Sequence, residues 1–539
     1  MFGGGFMPSI VFQHHTNGTD YAYMSTSYWD KEKKASRTKM ICIGKKDPQT
    51  GKLLYNKRWK ELQQNKNQKE LTVTESPQIS STVSIGPSLL LEHITKQLGL
   101  QRSLLKGFDL ETTKKLIAFV WYLASSPSQR AYMAEGWMES HQCPCHDQPL
   151  TSPRISELMH SISRDQILSF FKSWIRRSTE KEYLCFDITS VSSRGVHNPY
   201  VEYGYNRDGE KLPQINIALL SGMDSEIPFY YEILPGSLHD VSSLPSFIEM
   251  LAKLGMKKID LMMDKGFHSK KNLELLVNQG IRFTMPVPKN STRIRKYIDH
   301  DRNLLELPEN IVYDDERKTV YGITHQTKLE GKRIYYHIYM DTAARIDHVR
   351  KFSTYILKLS RELKANNLQE EHTDDYAAFF TVKETPKRGK KVIWNQEAIR
   401  THRDNYIGYW ALVTNTEPDA GRALTQYRKR DHVEKQFDTL KNLLEGNRLR
   451  TKDAVSAEAV VFLRFLSLII TERMRKILRE TPINVEDENL KYWISRYTVP
   501  EVFNRLESYS EVKFKQKYKS IHPAKTKAQR EIFKIFDLK

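Results

Sequence analysis

Between residues 88 and 126 apolar positions recur at helical spacing. Leu89, Leu90, Ile94, Leu98 and Leu100 share one face, and Leu116, Ile117, Phe119, Val120 and Leu123 share a second, which predicts amphipathic helices. A further helix is expected over 165–175, with Ser152 or Ser156 capping the one before it. From residue 183 the period changes. Residues 183–189, 215–220 and 227–233 read as strands, 244–254 as an amphipathic helix, 259–264 as a fourth strand and 269–279 as a helix. Three strands, then helix, strand, helix is a mixed α/β order.

Residues 287–407 interrupt it. Strands are expected over 319–324, 334–339 and 377–382, with a charged helix over about 345–365. An apolar strand at 409–415 resumes the core, and one long helix is expected from near Pro418 through Leu444, since proline suits a first helical turn. Upstream, 21–29 has strand composition, 47–51 has turn chemistry, and 63–87 is a polar stretch with no period, read as a linker. The most apolar run, 460–470, contains Arg464 and falls short of the roughly 18 apolar residues of a membrane span, so a buried helix is expected and no membrane association.

Charge adds a partner. The chain has 539 residues, with 84 Lys and Arg against 65 Asp and Glu, a net charge of +19. That points to a polyanion or, less specifically, to a basic solvated surface. A hydrophobic share of 39% excludes a disordered or low-complexity chain. The four cysteines, Cys42, Cys143, Cys145 and Cys185, exclude a disulfide scaffold and fit a reducing cytoplasm. The opening residues lack a basic lead with a long apolar stretch, so no secretory leader is expected. His141, Cys143, Cys145 and His146 form a C-x-C-H cluster, tighter than the C-x2-C of ordinary zinc sites, with a surface loop as the alternative. The segment from Lys513 to Lys539 is strongly basic and suits either DNA contact or an exposed amphipathic helix.

The chemistry rests on carboxylates. Asp187 and Asp264 lie at or near the ends of expected strands, and adjacent strands of an open sheet bring such ends together. Paired buried carboxylates repel unless cations neutralise them, and Mg²⁺ does so well. On the expected long helix, Tyr427, Arg430, Glu434 and Lys441 fall within an arc of roughly 60° at about 100° per residue. Beside them runs an apolar stripe of Val433, Phe437, Leu440 and Leu444. A carboxylate flanked by two cations and a phenol suits a phosphodiester. Such pairs are also ordinary on exposed helices, and Asp431 and Asp438 are rival carboxylates on nearly the same face.

The string Tyr427-x2-Arg430-x3-Glu434-x6-Lys441 resembles the signature of bacterial insertion-sequence transposases with a DDE triad, of the insertion-sequence-four superfamily. Met263-Asp264-Lys265-Gly266-Phe267 resembles that superfamily's second-aspartate motif, and the segment from Tyr183 to Ser190 its first. Segments 204–209 and 235–240 resemble intervening family segments, while 27–34 and 43–45 resemble one branch in particular. The resemblance covers nearly the whole chain.

The resemblance implies an α/β protein with an RNase H-like catalytic core, a β-rich insertion domain, an N-terminal DNA-binding region and a helical C-terminal region. The expected organisation is a strand-rich region over 1–62, a linker over 63–87, a helical DNA-binding domain over 88–180, core over 181–286, insertion over 287–407, core again over 408–450, and a helical basic region over 451–539. The interval from Asp264 to Glu434, more than twice that from Asp187 to Asp264, leaves room for the insertion. Asp187, Asp264 and Glu434 are the expected catalytic residues and the ligands of two Mg²⁺ ions, for which Mn²⁺ would substitute. Tyr427, Arg430 and Lys441 would grip phosphates near the scissile bond. Trp394 is a candidate to stack on a flipped base, or packs inside the insertion. His268 could reach the metal site or pack beside a helix start, and His239 and Asp240 carry the same two readings. The expected activity is cut-and-paste transposition through hairpin ends. Its partners would be double-stranded DNA, both terminal inverted repeats and target, and a second copy in a synaptic homodimer, in the bacterial cytoplasm at the nucleoid. Alternatives are an RNase H-like nuclease without strand transfer and an inactive DNA-binding regulator.

Overall fold

A computed structural model describes residues 9–30, 35–61, 63, 78–126, 128, 130–178, 183–195, 197–207, 209–256, 259–315, 318–385, 389–403, 406–443, 448–482, 497–515 and 518–538. Two compact units result, residues 1–81 with 512–520, and residues 82–511 with 521–539.

The first unit holds an antiparallel meander, β1 (Ser9–His14), β2 (Asp20–Asp30), β3 (Ala35–Lys46) and β4 (Leu53–Tyr55). This is the strand-rich region expected from 21–29 and the turn at 47–51. Most of the stretch read as a linker, 64–77, lies outside the described residues. The chain continues through β5 (Ile79–Ser84).

In the second unit α1 (Gly86–Leu98), α2 (Leu100–Leu104) and α3 (Leu110–Ser125) follow the two apolar faces. Asp109 caps α3 by accepting from the Thr112 N–H at 2.9 Å. Helices α4 (Ser152–Ser161) and α5 (Arg164–Ser178) come next. Thr151, not Ser152 or Ser156, holds the N-cap position of α4, because Ser152-Pro153 already forms the first turn.

Among the described residues, the sheet that follows has ten strands. Its main path runs β11 (Ile311–Asp315), β12 (Lys318–Leu329), β13 (Lys332–Asp341), β16 (Tyr409–Thr414), β10 (Arg282–Val287), β9 (Asp260–Met263), β6 (Leu184–Ser193), β7 (Gln214–Gly222) and β8 (Pro228–Pro235), and β17 (Arg448–Leu449) also pairs with β6. Strand β7 runs antiparallel to both β6 and β8, while β9 runs parallel to both β6 and β10. Helices α6 (Asp240–Lys253) and α7 (Lys270–Asn278) make the crossovers, and the Ser269 hydroxyl caps α7.

Two expectations change here. Strand β6 runs to Ser193, so Asp187 sits inside it rather than at its end, because buried Val191 and Ser192 keep pairing with β7. Among the described residues the segment between β10 and β16 is more helical than β-rich. Its strands β11, β12 and β13 extend the core sheet, and the rest is α8 (Thr292–Leu305), α9 (Thr342–Ala365), α10 (Thr373–Phe379), a hairpin of β14 (Phe380–Thr385) with β15 (Gly389–Trp394), and α11 (Gln396–Arg403). The strand expected at 377–382 starts three residues later, because Phe379 closes α10 and is buried against Phe352 of α9.

Helix α14 (Ala454–Glu480) is the central post. It is long and apolar enough to cross a membrane, yet it is mostly buried inside this unit. Phe462 meets Phe108 and Phe170 at 5.9 and 5.3 Å between ring centres, and Phe465 meets Phe171 and Tyr231 at 5.4 and 5.2 Å. Each such ring contributes roughly 1.5–3 kcal/mol on burial. The helices of 86–178 therefore pack into one hydrophobic core with α14 and the sheet. Arg164 reinforces the joint by pairing with Glu232 of β8 at 2.8 Å and with Glu458 of α14 at 2.5 Å.

Candidate active site

The parallel register sets the first two carboxylates side by side. Leu184 opposes Leu261, Cys185 opposes Met262 and Phe186 opposes Met263, so the next residues in step are Asp187 and Asp264. Hydrophobic neighbours fix this alignment, since Phe186 stacks on Phe247 at 3.9 Å and packs on Phe267 at 4.8 Å. Asp187 is buried, and its Oδ1 accepts from the Ile188 N–H at 2.8 Å. Asp264 is half-exposed, where β9 gives way to a single turn over Lys265–Phe267.

The long helix expected from Pro418 to Leu444 is two helices, α12 (Ala420–Arg428) and α13 (Asp431–Leu443), and Leu444 lies outside the described residues. Neither glycine nor proline breaks it. Arg430 sits in the joint and turns its guanidinium to the sheet, and that charge pairing outweighs helical continuity. Val433, Phe437, Leu440 and Leu443 form the buried stripe of α13. Gln436 pins the helix by accepting from Ser221 Oγ at 2.5 Å and donating to the Glu226 carbonyl at 2.7 Å.

Arg430 then gathers the three acids. Nη2 lies 2.9 Å from Asp187 Oδ2 and 3.6 Å from Glu434 Oε1, while Nη1 lies 3.4 Å from Asp264 Oδ1 and donates to the Tyr427 hydroxyl at 3.0 Å. Burial works against the Arg430 charge, but Asp187, Tyr427 and Asp264 outweigh it and hold its pKa above the ordinary value. Burial pushes the Tyr427 phenol up to about 12. Burial, with Asp187 adding to it, also keeps the Cys185 thiol protonated. Glu434 is the exposed member, at 66% of its side chain, and faces the open side of the site. Lys441 lies about two turns further along α13 and is buried.

A second arginine approaches from the β6–β7 connection. Arg207 Nη1 lies 3.6 Å from Asp187 Oδ1 and donates to the Ile188 carbonyl, while Nη2 donates to Asp240 Oδ2 at 2.7 Å. Burial raises the Asp240 pKa, Arg207 opposes that, and Asp187 and Asp264 add to it. Gly266 makes room, since a Cβ there would lie 2.4 Å from Asp240 Oδ2. These groups line a cavity of about 670 Å³ with Asp264, Lys265, Tyr205 and His239. The Arg207 contact had no periodic signal to reveal it, because the residue lies in a loop. Trp410 was also missed. It stacks on Tyr339 at 4.3 Å and stands 6.4 Å from Tyr427.

Other candidates lie elsewhere. Trp394 ends β15, with its ring edge-on to Phe380 at 5.2 Å. His268 is half-buried beside the start of α7, and burial lowers its pKa. In the C-x-C-H cluster, His141 Nδ1 faces the Trp137 carbonyl at 2.8 Å and His146 Nδ1 the Met138 carbonyl at 3.0 Å, while burial pushes the Cys143 thiol up to about 12. Among the described residues no three Asp, Glu, His or Cys side chains close into a metal-sized cage. The triad is spaced instead around the Arg430 guanidinium. Its oxygens already surround a positive charge, and hard carboxylate oxygens are the donors Mg²⁺ takes.

No curated protein matches the chain. Among solved structures, that of a piggyBac transposase synaptic complex with hairpin DNA is similar at 11% identity and a TM-score of 0.36, over 78% of this chain and 77% of that one. The family model described as "Transposase DDE domain" matches residues 178–470, more than half of the chain and a span that includes Asp187, Asp264 and Glu434. The chain therefore belongs to the family of transposase DDE domains.

Proposed function

We propose that the protein is the transposase of a bacterial insertion sequence of the insertion-sequence-four superfamily type, which excises its element and joins it to target DNA. The observation that carries this reading is the convergence of Asp187, Asp264 and Glu434 on one guanidinium, from positions far apart in sequence. The strand order β8-β7-β6-β9-β10, three antiparallel strands followed by two parallel ones, supports an RNase H-like core.

Asp187, Asp264 and Glu434 would hold two Mg²⁺ ions. Bound there, the metals would activate a water or a 3′-hydroxyl and stabilise the leaving 3′-oxygen of an in-line displacement. The protein's own groups do the rest. Asp187 is fixed by the Ile188 amide and by Arg207, so its carboxylate keeps one orientation. Arg430 and Tyr427 would grip a phosphate beside the scissile bond once metals take over the carboxylates, and Lys441 would join them from further along α13. Excision through hairpin ends, a synaptic homodimer, and base stacking by Trp394 follow the family pattern and are part of this proposal.

The deciding experiment is strand transfer. Full-length protein, Mg²⁺ and a precleaved duplex carrying the element's terminal repeat are mixed with plasmid. Joined product supports a transposase. Cleavage of an uncut end without any joining supports a nuclease, and binding without cleavage supports a regulator.

A further inference from the structure

We propose that the extended segment from Arg448 to Lys452 is a second phosphate-binding ladder, which grips the backbone of duplex DNA about five or six base pairs from the scissile bond. Only that distance rests on the transposase reading.

The ladder is built by strand pairing. β17 runs parallel to β6, with Arg448 opposite Ser192 and Leu449 opposite Ser193. Exposure alternates, since Leu449 is buried while Arg448, Arg450 and Lys452 are exposed. Only Arg448 and Leu449 pair as strand and Lys452 lies in a bend, but all three cations open onto the same two cavities.

The segment is held rigid. Ser193 Oγ donates to the Leu449 carbonyl at 3.3 Å, and the His197 N–H donates to the Lys452 carbonyl at 3.1 Å. Gly195 permits this close approach, because a Cβ there would lie 2.7 Å from the Thr451 carbonyl oxygen. Asp453 ends the segment by capping α14, accepting from the Ser456 N–H at 2.8 Å. Two adjoining cavities, of about 420 and 520 Å³, share Arg448, Arg450 and Lys452 in their walls, and Arg194 joins them in the second. The acids beside the ladder are Glu210, 3.1 Å from Arg448, and Asp453, spent on its cap. A cluster of cations on a fixed backbone along a concave surface suits a polyanion.

The distance follows from the strand. Ser192 and Ser193 lie five and six residues beyond Asp187 on β6, roughly 17–20 Å. That equals five or six steps of about 3.4 Å along a duplex.

The test uses the full chain and a fluorescein-labelled duplex of arbitrary sequence, roughly three helical turns long, with affinity measured from about 50 to 200 mM salt. Arg448→Gln, Arg450→Gln and Lys452→Gln should each reduce the slope of log affinity against log salt by about 0.9, and the triple variant by about 2.7. A triple variant that melts like wild type and keeps the full slope overturns the proposal. If the triple variant does not fold, the exposed Lys452→Gln alone decides in the same way. Single methylphosphonate linkages, placed along an element-end duplex and then along a target duplex, identify the DNA held. Loss of the Arg448-dependent affinity at the fifth or sixth linkage from the cleaved bond assigns the ladder to the end. Loss in the target alone assigns it to the target, and loss in neither overturns the proposal. Failure of the transposase reading would instead appear as cleavage that survives triad substitution, with the salt slopes intact.

Discussion

Arg430 stands 2.9 Å from Asp187 and 3.4 Å from Asp264, so one guanidinium bridges the two carboxylates that the β6–β9 register brings abreast. Removing one partner of a buried ion pair costs about 3–5 kcal/mol, because the other charge stays buried without compensation. Arg430→Gln should lower the melting temperature in EDTA and regain part of the loss with Mg²⁺, since another cation can then serve the same oxygens. A melting temperature indifferent to Mg²⁺ in this variant would count against a metal at the triad.

Gly266→Ala tests the packing beneath the site. The added methyl meets Asp240 Oδ2 and must push Asp240 away from Arg207. Overpacking of this kind costs about 1–3 kcal/mol. Cleavage should fall about 10–100-fold, as expected when a group orienting a ligand residue is displaced. Combining it with Asp240→Ala should cost less stability than the two single changes added together, measured by urea denaturation.

Glu472 makes stability depend on pH. It lies on α14, 2.8 Å from Arg475, and burial pushes its pKa up to about 7, with Arg475 opposing and Glu226 adding to the rise. Because the folded form binds the proton more tightly, the folded state holds more protons between the ordinary carboxylate value of 4.5 and 7. Stability therefore falls as pH rises through that window, by about 3 kcal/mol. Glu472→Gln should flatten the fall, as read from urea denaturation at pH 5 and pH 8.

Arg164→Ala should destabilise the second unit as a whole. The substitution strands Glu232 and Glu458 in the joint between α5, β8 and α14 and should cost about 3–5 kcal/mol. Unfolding followed by Trp174 fluorescence should stay a single transition, because that buried indole donates to the Pro228 carbonyl at 3.0 Å and belongs to the same core.

Much of the site was legible because strands announce themselves. Asp187 and Asp264 each lie at or near the end of an apolar run, and the order of strands and helices from 183 to 279 matches β6 to α7, while β10 carries no such signal. What local pattern could not carry was tertiary. Residues 418–444 keep a helical period across Lys429 and Arg430, so the break that frees Arg430 is invisible until its carboxylates are in place. Alternation in β12 and β13 marks strands but not which sheet they join. The exposed run at 448–452 reads as charge alone, and only its pairing with β6 gives it direction.

The account turns on three acidic groups acting together, and single-turnover cleavage of an element-end duplex in Mn²⁺ measures that most directly. Wild-type protein should nick the end. Asp187→Asn, Asp264→Asn and Glu434→Gln should each reduce the rate by on the order of 10³-fold while still binding the duplex. Any one of the three cleaving at the wild-type rate would contradict it.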